Sequence, residues 1–323
     1  MLLSCGDALV DFLPVKSANG FDALLPVPGG SCLNVAIGIA RLGAPAGFVG
    51  GISTDLFGRM LADHAEASGV DLRYCLRSSR PTTLAFIRTV KGEPSYAFYD
   101  EGSAARHWIY RPGSFRFAEI DAIHFGSTTL VDPKAAAEVL RLVEDARGST
   151  VVSFDPNCRP NLVGDKSDYV RRMEEFAARA DIVRLSEEDF AFLYGDGDPD
   201  AKATALLKAA TRLFILTRGA LGAQAWHAQA GSLEVTVPQA AIVDTVGAGD
   251  SFQAGLLFAL RKIGRIRRSA LAGSTANELR RAMLFAASCA AITCGRPGAD
   301  PPRLSEVGAA TIAALTAEPP AAD

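Results

Sequence analysis

The chain has 323 residues, of which 49% are hydrophobic and 21% are charged, and its formal net charge is -3. This composition is typical of a packed globular protein of one or two domains. The slightly acidic balance gives no reason to expect a nucleic acid or an anionic membrane as a partner, and no apolar run approaches the length of a membrane span. Its six cysteines form no C-x-x-C pair, which argues against a zinc site or a disulfide framework and favours reduced thiols in the cytoplasm.

Short apolar segments alternate with helix-like runs along most of the chain. The first segment has no basic region before it and soon meets Asp7 and Asp11, so it is interpreted as a strand and not as a signal peptide. The predicted strands are 2–5, 46–50, 122–125, 151–155, 182–185 and 213–217. The predicted helices are 33–42, 56–68, 133–146, 167–180, 187–194 and 252–263. This alternation predicts a mostly parallel sheet that is covered on both faces.

Two regions break this alternation. Residues 82–99 alternate apolar and polar side chains around Lys91-Gly92-Glu93-Pro94, which predicts a hairpin, and residues 20–28 look similarly extended. Together they predict a small separate sheet. A second hairpin is predicted at 222–226 and 233–237, and the tail after Leu315 is expected to fray.

The most informative segment runs from Asp244 to Phe252 and reads Asp-Thr-Val-Gly-Ala-Gly-Asp-Ser-Phe. It connects an apolar run to a predicted helix, so its loop would present free amides and the positive end of a helix dipole to an anion. Asp250 stands beside this anion site, where a carboxylate is expected to accept a proton. Phosphoryl transfer to a hydroxyl group needs these two features together. The simpler interpretation of such a Gly-x-Gly loop is a tight turn without a ligand.

A second glycine pair, Gly29-Gly30, precedes the predicted helix that contains Asn34. The functional interpretation places Asn34 and the backbone of Gly30 against a polyhydroxylated ligand. The simpler interpretation makes Ser31 an ordinary N-terminal helix cap.

Both segments resemble the signature motifs of the ribokinase-like (PfkB) carbohydrate kinases. The later motif of that family is Asp-Thr-x-Gly-Ala-Gly-Asp. The earlier one is Gly-Gly-x-x-x-Asn-x-Ala followed by Val-Gly-x-x-Gly-x-Asp-x-Phe-Gly, from which the chain departs where Ser53 or Thr54 replaces a glycine. The resemblance extends from Gly6 to about Pro302. It implies a Rossmann-like α/β fold with a mostly parallel sheet flanked by helices. It also implies a small β-sheet lid from about residues 12–30 and 80–112, within one catalytic domain spanning 1–323.

The family resemblance further implies an ATP-dependent sugar kinase. Asp250 would take the proton of a primary hydroxyl group as its oxygen attacks the γ-phosphorus, and the amides of Gly247, Ala248 and Gly249 would hold the developing charge. The implied ATP-binding residues are Ser186, Thr217, Gly219, Gly222 and Gly249.

The implied sugar-binding residues are Asp11, Gly29, Gly30, Asn34, Phe98, Arg159 and Asp250. In this interpretation the carboxylate of Asp11 binds sugar hydroxyls through charge-assisted hydrogen bonds, whereas its simpler role is that of a surface turn residue. Phe98 packs either on a sugar face or purine, or only within the core of the lid.

Metal ions and a partner are also implied by the family resemblance. Magnesium would bridge the phosphates of ATP, and Asp189, which stands where the family has a glutamate, would contact it through water. Relatives often dimerise through the lid, so a homodimer is expected. Potassium is expected at a site that contains Asp244, Val246, Thr293 and Gly298.

The segment from Ser95 to Ala104 resembles the lid segment of bacterial fructokinases, which makes D-fructose the expected acceptor and fructose 6-phosphate the expected product. Asp100 and Glu101 would repel a carboxylate substrate such as 2-keto-3-deoxygluconate, although Arg106 lies close in sequence and weakens this argument. A nucleoside kinase acting on adenosine or inosine is the alternative within the family, as is a 2-keto-3-deoxygluconate kinase. Outside the family, the alternative is a nonenzymatic nucleotide or sugar sensor. A P-loop enzyme is excluded because no Gly-x-x-x-x-Gly-Lys-Ser/Thr segment exists.

Overall fold

The computed structural model of the protein describes residues 1–90, 93–238 and 241–317, and for residues 87–90 and 93–96 it describes the backbone alone. The strands are β1 (Leu2–Cys5), β2 (Leu9–Lys16), β3 (Asp22–Gly29), β4 (Ala46–Ser53), β5 (Cys75–Ser78), β6 (Thr83–Val90), β7 (Glu93–Tyr99), β8 (Ala122–Gly126), β9 (Val151–Asp155), β10 (Ile182–Ser186), β11 (Leu213–Thr217), β12 (Ala223–His227) and β13 (Gly231–Val235). The α-helices are α1 (Ser31–Arg41), α2 (Leu56–Ala67), α3 (Pro133–Ala146), α4 (Lys166–Ala177), α5 (Glu187–Tyr194), α6 (Pro199–Ala209), α7 (Ala248–Lys262), α8 (Arg268–Ala272), α9 (Ala276–Cys294) and α10 (Ala309–Thr316).

A large sheet organises the described part of the chain, with the strand order β13-β12-β11-β10-β9-β8-β1-β4-β5. Neighbouring strands from β11 to β5 pair in parallel, and β12 and β13 add an antiparallel edge. Every residue of β1, β8 and β9 is buried, as expected for central strands that helices cover on both faces. The predicted mostly parallel α/β fold is therefore confirmed.

A second, small sheet has the order β3-β2-β6-β7 and confirms the predicted separate sheet. Strand β2 begins at Leu9, earlier than the predicted boundary at about residue 12. Residues 100–112 were predicted to belong to this lid, but between Ala105 and His107 they form a short 3-10 helix and contribute no strand. The turn residues Lys91 and Gly92 lie outside the described residues.

The helices differ from the predictions chiefly toward the C-terminus. Helix α7 begins at Ala248, four residues before its predicted start, because a left-handed Gly247 lets the helix follow the loop directly. Sequence analysis missed α6, α8, α9 and α10. The start of α9 carries a capping box between Thr275 and Glu278, a local signal that could have identified it. Residues 318–323 of the tail lie outside the described residues.

Close packing of α1 against α7 brings distant parts of the sequence together. A Cβ atom at Gly38 of α1 would lie 2.6 Å from the Cβ of Ala254 in α7, so the two helices approach closely because both positions are small. The N-terminal ends of both helices therefore meet at the carboxyl edge of the large sheet, the edge where open α/β sheets bind ligands. In the part of the chain that the structure describes, no helix has both the length and the hydropathy needed to cross a membrane.

Candidate active site

A cavity lies between the carboxyl edge of the large sheet and the small sheet. Its acidic side chains come from three different elements, since Asp7 follows β1, Asp11 lies on β2 and Asp250 lies in the first turn of α7. The lining residues are Asp7, Leu9, Asp11, Gly30, Ser31, Asn34, Phe98, Ser127, Thr128, Arg159, Val246, Gly247 and Asp250.

The carboxylate of Asp250 is fixed by two hydrogen bonds from the start of α1. Ser31 Oγ donates to Oδ1 at 2.6 Å, and Asn34 Nδ2 donates to Oδ2 at 2.9 Å. Ser31 was offered above as a simple helix cap, but α1 has no side-chain cap and the Ser31 hydroxyl group serves Asp250 instead. Each carboxylate oxygen accepts one of these bonds and keeps a lone pair for a further proton donor.

Asp250 is 8% exposed, and its surroundings favour a proton acceptor. The pKa of Asp250 is raised to about 6, chiefly by burial; the hydrogen bonds from Ser31 and Asn34 oppose this rise, and the negative charges of Asp155 and Asp7 add to it. A carboxylate with such a pKa is ionised at pH 7 and is a stronger base than an exposed aspartate.

Most of the predicted anion loop is open. The amides of Gly249 and Asp250 have no acceptor among the described residues, and neither has the amide of Gly247. The Ala248 amide donates to the carbonyl oxygen of Thr245 at 3.3 Å, so it is engaged within its own loop. Of the three amides expected to hold the anion, that of Ala248 is therefore engaged within the loop, whereas those of Gly247 and Gly249 are open, as is the amide of Asp250.

A buried cation lies beneath this loop. Arg184 donates to Asp155 Oδ2 at 2.5 Å and to Thr217 Oγ1 at 2.6 Å. A Cβ atom at Gly249 would lie 2.8 Å from Nη1 of Arg184, so only glycine permits this approach. Sequence analysis did not identify Arg184 as a site residue, because its neighbours belong to three other elements and no local pattern marks it.

Asp11 lies on β2 with its carboxylate close to Gly29, where a Cβ atom would collide with Oδ2. The pKa of Asp11 is raised to about 7, chiefly by burial and then by the charge of Asp7; Arg159 acts in the opposite direction, and Asp250 adds to the rise. Gly30 has a φ of 104°, and a Cβ atom there would lie 2.6 Å from the Asp7 carbonyl oxygen. The glycine pair therefore allows the backbone to pass closely between two aspartates.

Asp7 holds the other wall of the cavity, and sequence analysis did not assign it a role. Its carboxylate accepts hydrogen bonds from Ser127 Oγ at 2.8 Å, Thr128 Oγ1 at 3.2 Å and the Cys32 amide at 3.0 Å. Ser127 has a φ of 63°, a left-handed conformation that is uncommon outside glycine and often marks functional sites. The proximity of Asp7 to Asp11 in sequence was the only available signal.

Arg159 and Phe98 both line the cavity. The Arg159 guanidinium donates to Asn157 Oδ1 at 2.6 Å and to two carbonyl oxygens of its own loop. Asp100 and Glu101 do not line this cavity; Asp100 forms an ion pair with Arg106 at a separate surface cleft. Asp100 and Glu101 are therefore not placed to repel a carboxylate substrate in this cavity. The acidic residues that do line it are Asp7, Asp11 and Asp250.

Of the residues implied for ATP, all but Gly249 lie at the ends of β10 and β11 or in the turn after β11, at the same edge of the sheet. Ser186 is the N-cap of α5, and Thr217 ends β11. Gly219 and Gly222 have φ values of 50° and 93° in the turn after β11, so this loop depends on glycine. A Cβ atom at Gly222 would collide with the Val235 carbonyl oxygen.

Asp189 is committed to the protein itself. Oδ1 accepts from the Cys158 amide at 2.6 Å, and Oδ2 accepts from the amide and the hydroxyl group of Ser186 at 3.1 and 2.7 Å. The carboxylate thus completes the capping box of α5 and joins it to the loop after β9. A contact with magnesium through water would have to compete with these bonds.

Three of the four residues implied for potassium are directly connected. Asp244 Oδ1 accepts from the Val246 amide at 3.0 Å, and Oδ2 accepts from the Gly298 amide at 2.8 Å. Thr293 lies next to this group, where its hydroxyl group bonds Ser251 Oγ at 2.7 Å. Among the described residues, no group of three or more His, Cys, Asp and Glu side chains is placed to bind a metal ion.

Comparison with known proteins gives the same family for almost the whole chain. The family described as "pfkB family carbohydrate kinase" matches residues 2–306. A fructokinase from Rhizobium leguminosarum bv. trifolii is 37% identical over 282 residues, which cover 87% of this chain and 86% of the relative.

Two solved structures are similar in fold. The fructokinase with bound ATP from Xylella fastidiosa has a TM-score of 0.87 and 29% identity, and the match covers 95% of this chain and 96% of that one. A double mutant of the fructokinase from Vibrio cholerae O395, bound to fructose, ADP and a potassium ion, has a TM-score of 0.78 and 25% identity, with 97% of each chain covered.

Proposed function

The chain belongs to the pfkB family of carbohydrate kinases, and we propose that its reaction is the transfer of the γ-phosphoryl group of ATP to the 6-hydroxyl group of D-fructose. The acceptor is proposed from the names of the relatives and from the cavity, which is lined by hydrogen-bonding groups suited to a polyol. The observation that carries the mechanism is the position of Asp250, whose carboxylate lies in the cavity beside the open amides of the anion loop.

In the proposed reaction, the 6-hydroxyl group donates a hydrogen bond to Asp250 while its oxygen attacks the γ-phosphorus. The bond from the γ-phosphorus to the bridging oxygen of ADP breaks, and the hydroxyl proton passes to Asp250. The amides of Gly247, Gly249 and Asp250 hold the negative charge on the transferred group. An alcohol is much less acidic than a carboxylic acid, so Asp250 acts by orienting the hydroxyl group and by taking its proton late.

Asp11 and Asp7 are proposed to hold the sugar at the opposite wall. The Asp11 carboxylate would accept from two hydroxyl groups, and these charge-assisted bonds are stronger than neutral ones. Arg159 and Asn34 supply donors for the ring and hydroxyl oxygens. This proposal also unites the two sheets into one catalytic domain, since Asp11 comes from the small sheet and Asp250 from a helix on the large one.

Mg²⁺ is proposed to enter with ATP, held chiefly by its phosphate oxygens, because the described protein side chains offer no cluster of their own. Bound there it would neutralise phosphate charge. K⁺ is proposed at the loops that Asp244 ties together, where carbonyl oxygens would hold it and thereby fix the loop that precedes Gly247.

A carboxylate-bearing sugar such as 2-keto-3-deoxygluconate fits this cavity less well. Asp7, Asp11 and Asp250 all line it, against the single guanidinium of Arg159. A further negative charge would be repelled by the ionised members of this acidic group. The substrate is therefore proposed to be a neutral sugar.

The test is a panel of acceptors with Mg-ATP, read by ADP release and by identification of the product. Fructose is expected to give fructose 6-phosphate with the highest kcat/KM. Activity on adenosine or inosine without activity on fructose would replace the proposed substrate. Binding of ATP and sugar without turnover would support a nonenzymatic sensor.

We also propose a homodimer formed at the β3 edge of the small sheet. Phe21, Leu24 and Leu25 are 73%, 47% and 49% exposed there, and a second copy would cover them. Light scattering should show a dimer for the natural chain and a monomer for Phe21→Glu/Leu25→Glu.

We place the reaction in the cytoplasm, where ATP is supplied and where the six free cysteines of the described chain stay reduced.

A further inference from the structure

The start of α7, like that of α1, is held without a side-chain cap. Six of the described helices have an N-cap side chain that accepts a bond from a backbone amide: α2, α3, α4, α5, α6 and α9. Helix α7 has none, and its N-cap is the left-handed Gly247. A cap would occupy the amides that the phosphoryl group needs, so another interaction has to fix the turn that carries Asp250.

Two side chains of α7 close to Asp250 form such interactions. Ser251 Oγ bonds Thr293 Oγ1 of α9 at 2.7 Å, and Gln253 Nε2 donates to Ser153 Oγ of β9 at 2.8 Å. Gln253 is 0% exposed, so its bond to the sheet is made away from solvent. The first bond fastens α7 to its neighbouring helix, and the second fastens it to the central sheet.

Ser153 belongs to a buried polar row that crosses three strands. Ser4 of β1 lies level with His124 of β8, and His124 lies level with Ser153 of β9. His124 Nδ1 is 3.2 Å from Ser153 Oγ. Burial and the charge of Arg184 lower the pKa of His124 to about 3, so its ring is neutral at pH 7. We call Ser4, His124, Ser153 and Gln253 the polar row.

Several polar atoms of this region have no partner within the described structure. Ser4 Oγ and Gln253 Oε1 of the polar row are buried without a hydrogen bond, and so is Nε of Arg184 on the next strand. Each such atom is costly if it stays unsatisfied, because it has lost its contact with water without gaining a partner. The set contains an acceptor, a donor and a hydroxyl group, which suits water. A cation would be repelled by Arg184, and an anion by the carbonyl oxygen of Gln253.

We propose that Gln253 is a positioning residue for Asp250, and that ordered water completes the polar row to which Gln253 fastens α7. Gln253 touches neither sugar nor ATP in this account. It fixes the height and rotation of the first turn of α7 relative to β9, and thereby the place of the carboxylate three residues earlier. The kinetic part of this inference rests on the proposed kinase function; the water does not.

The kinetic test compares Gln253→Met with Ser153→Ala. Met keeps the length of the side chain and removes its hydrogen bonds. Because a small misplacement of a catalytic group slows the chemical step, kcat should fall about threefold to tenfold, with KM for fructose and for ATP within about twofold of the natural values. Gln224→Met is the matched control, since Gln224 Nε2 also donates to a serine, Ser232, on the edge hairpin; its kcat should not change.

The double variant tests whether the two substitutions lower kcat through the same hydrogen bond or through independent effects on the protein. If both residues act through one bond, Gln253→Met/Ser153→Ala should be no slower than the slower single variant. If the two losses in kcat multiply in the double variant, the positioning role is overturned. It is also overturned if kcat of Gln253→Met stays within about twofold of kcat of the natural enzyme and of Gln224→Met.

A crystal structure of the natural protein that resolves water tests the proposed hydration of the polar row. Water is expected within hydrogen-bond distance of Gln253 Oε1 and of Ser4 Oγ or Arg184 Nε. The absence of water near these atoms would overturn the proposed hydration. This measurement uses the natural protein, so it does not depend on whether a variant folds. A natural protein that binds water here but phosphorylates no sugar would overturn the proposed function and leave the hydrated row supported.

Discussion

Asn34 Nδ2 donates a 2.9 Å hydrogen bond to Oδ2 of Asp250, although the two residues are 216 positions apart in the sequence. The bond exists because the N-terminal ends of α1 and α7 meet where the helices pack through Gly38 and Ala254. With the matching bond from Ser31, it orients the carboxylate while leaving a lone pair on each oxygen. This joins the end of α1 that is proposed to bind the sugar to the residue proposed as the base.

Replacing Asp11 should weaken the binding of sugar and leave ATP unaffected. In Asp11→Asn the charge-assisted bonds to the sugar are lost, which corresponds to about 1.5–3 kcal/mol and hence to roughly a tenfold to hundredfold rise in KM for fructose. Steady-state kinetics with each substrate varied in turn checks this. Asp22→Asn on the same sheet is the control, because Asp22 is exposed and forms an ion pair with Lys16 at the surface. An unchanged KM for fructose would remove Asp11 from the sugar site.

The pH profile of kcat/KM should fall on its acid side near neutral pH. Asp250, with a pKa of about 6, has to be ionised to accept a proton, and Asp11, with a pKa of about 7, has to be ionised to bind hydroxyl groups strongly. Protonation as the pH falls therefore removes both functions. Because the two carboxyl groups interact, the acid side of the profile reports apparent pKa values that belong to the pair and not to either residue. A profile that stays flat down to pH 5 would contradict both assignments.

The stability of Asp250→Asn should depend on pH in a defined direction. The folded-state pKa of Asp250 is raised from 3.8 to about 6, so its contribution to stability is fully present below pH 3.8 and is lost as the pH rises through 6. Asn has no such loss. The difference in Tm, variant minus natural protein, should therefore be larger at pH 7.5 than at pH 4.5, by an amount equivalent to about 1–3 kcal/mol. A difference that does not change with pH would show that burial does not raise this pKa.

Gly249→Ala should lower kcat, because it disturbs the loop that is proposed to hold the γ-phosphoryl group of ATP. The new Cβ atom would lie 2.8 and 3.0 Å from the two terminal nitrogens of Arg184, so either the guanidinium or the anion loop has to move. Loss of a well-placed oxyanion contact costs about 10²-fold in kcat, and a fall of about tenfold or more is expected here. Gly164→Ala serves as the control, because nothing lies within 4 Å of its Cβ position. Normal kcat in Gly249→Ala would show that this approach is not needed.

The parts of the site that follow from local patterns could be predicted from the sequence. The strands at 2–5, 151–155 and 213–217 are short apolar runs, and the anion loop with Asp250 is contiguous. The network of Asp7 with Ser127 and Thr128 could not be predicted, because it depends on β1 and β8 becoming neighbours in the sheet. The engagement of the Ala248 amide was missed for a related reason, since it depends on the path of the loop through Thr245.

Comparison of the natural enzyme with Asp250→Asn, by steady-state formation of fructose 6-phosphate from fructose and Mg-ATP, tests the central claim most directly. Asn keeps the size of the side chain but cannot take the proton, so kcat should fall by about 10²-fold or more, with both KM values within a few-fold of the natural ones. Asp196→Asn, an exposed position, should behave as the natural enzyme does. A folded Asp250→Asn protein that turns over fructose at a nearly natural rate would contradict the assignment of Asp250 as the base.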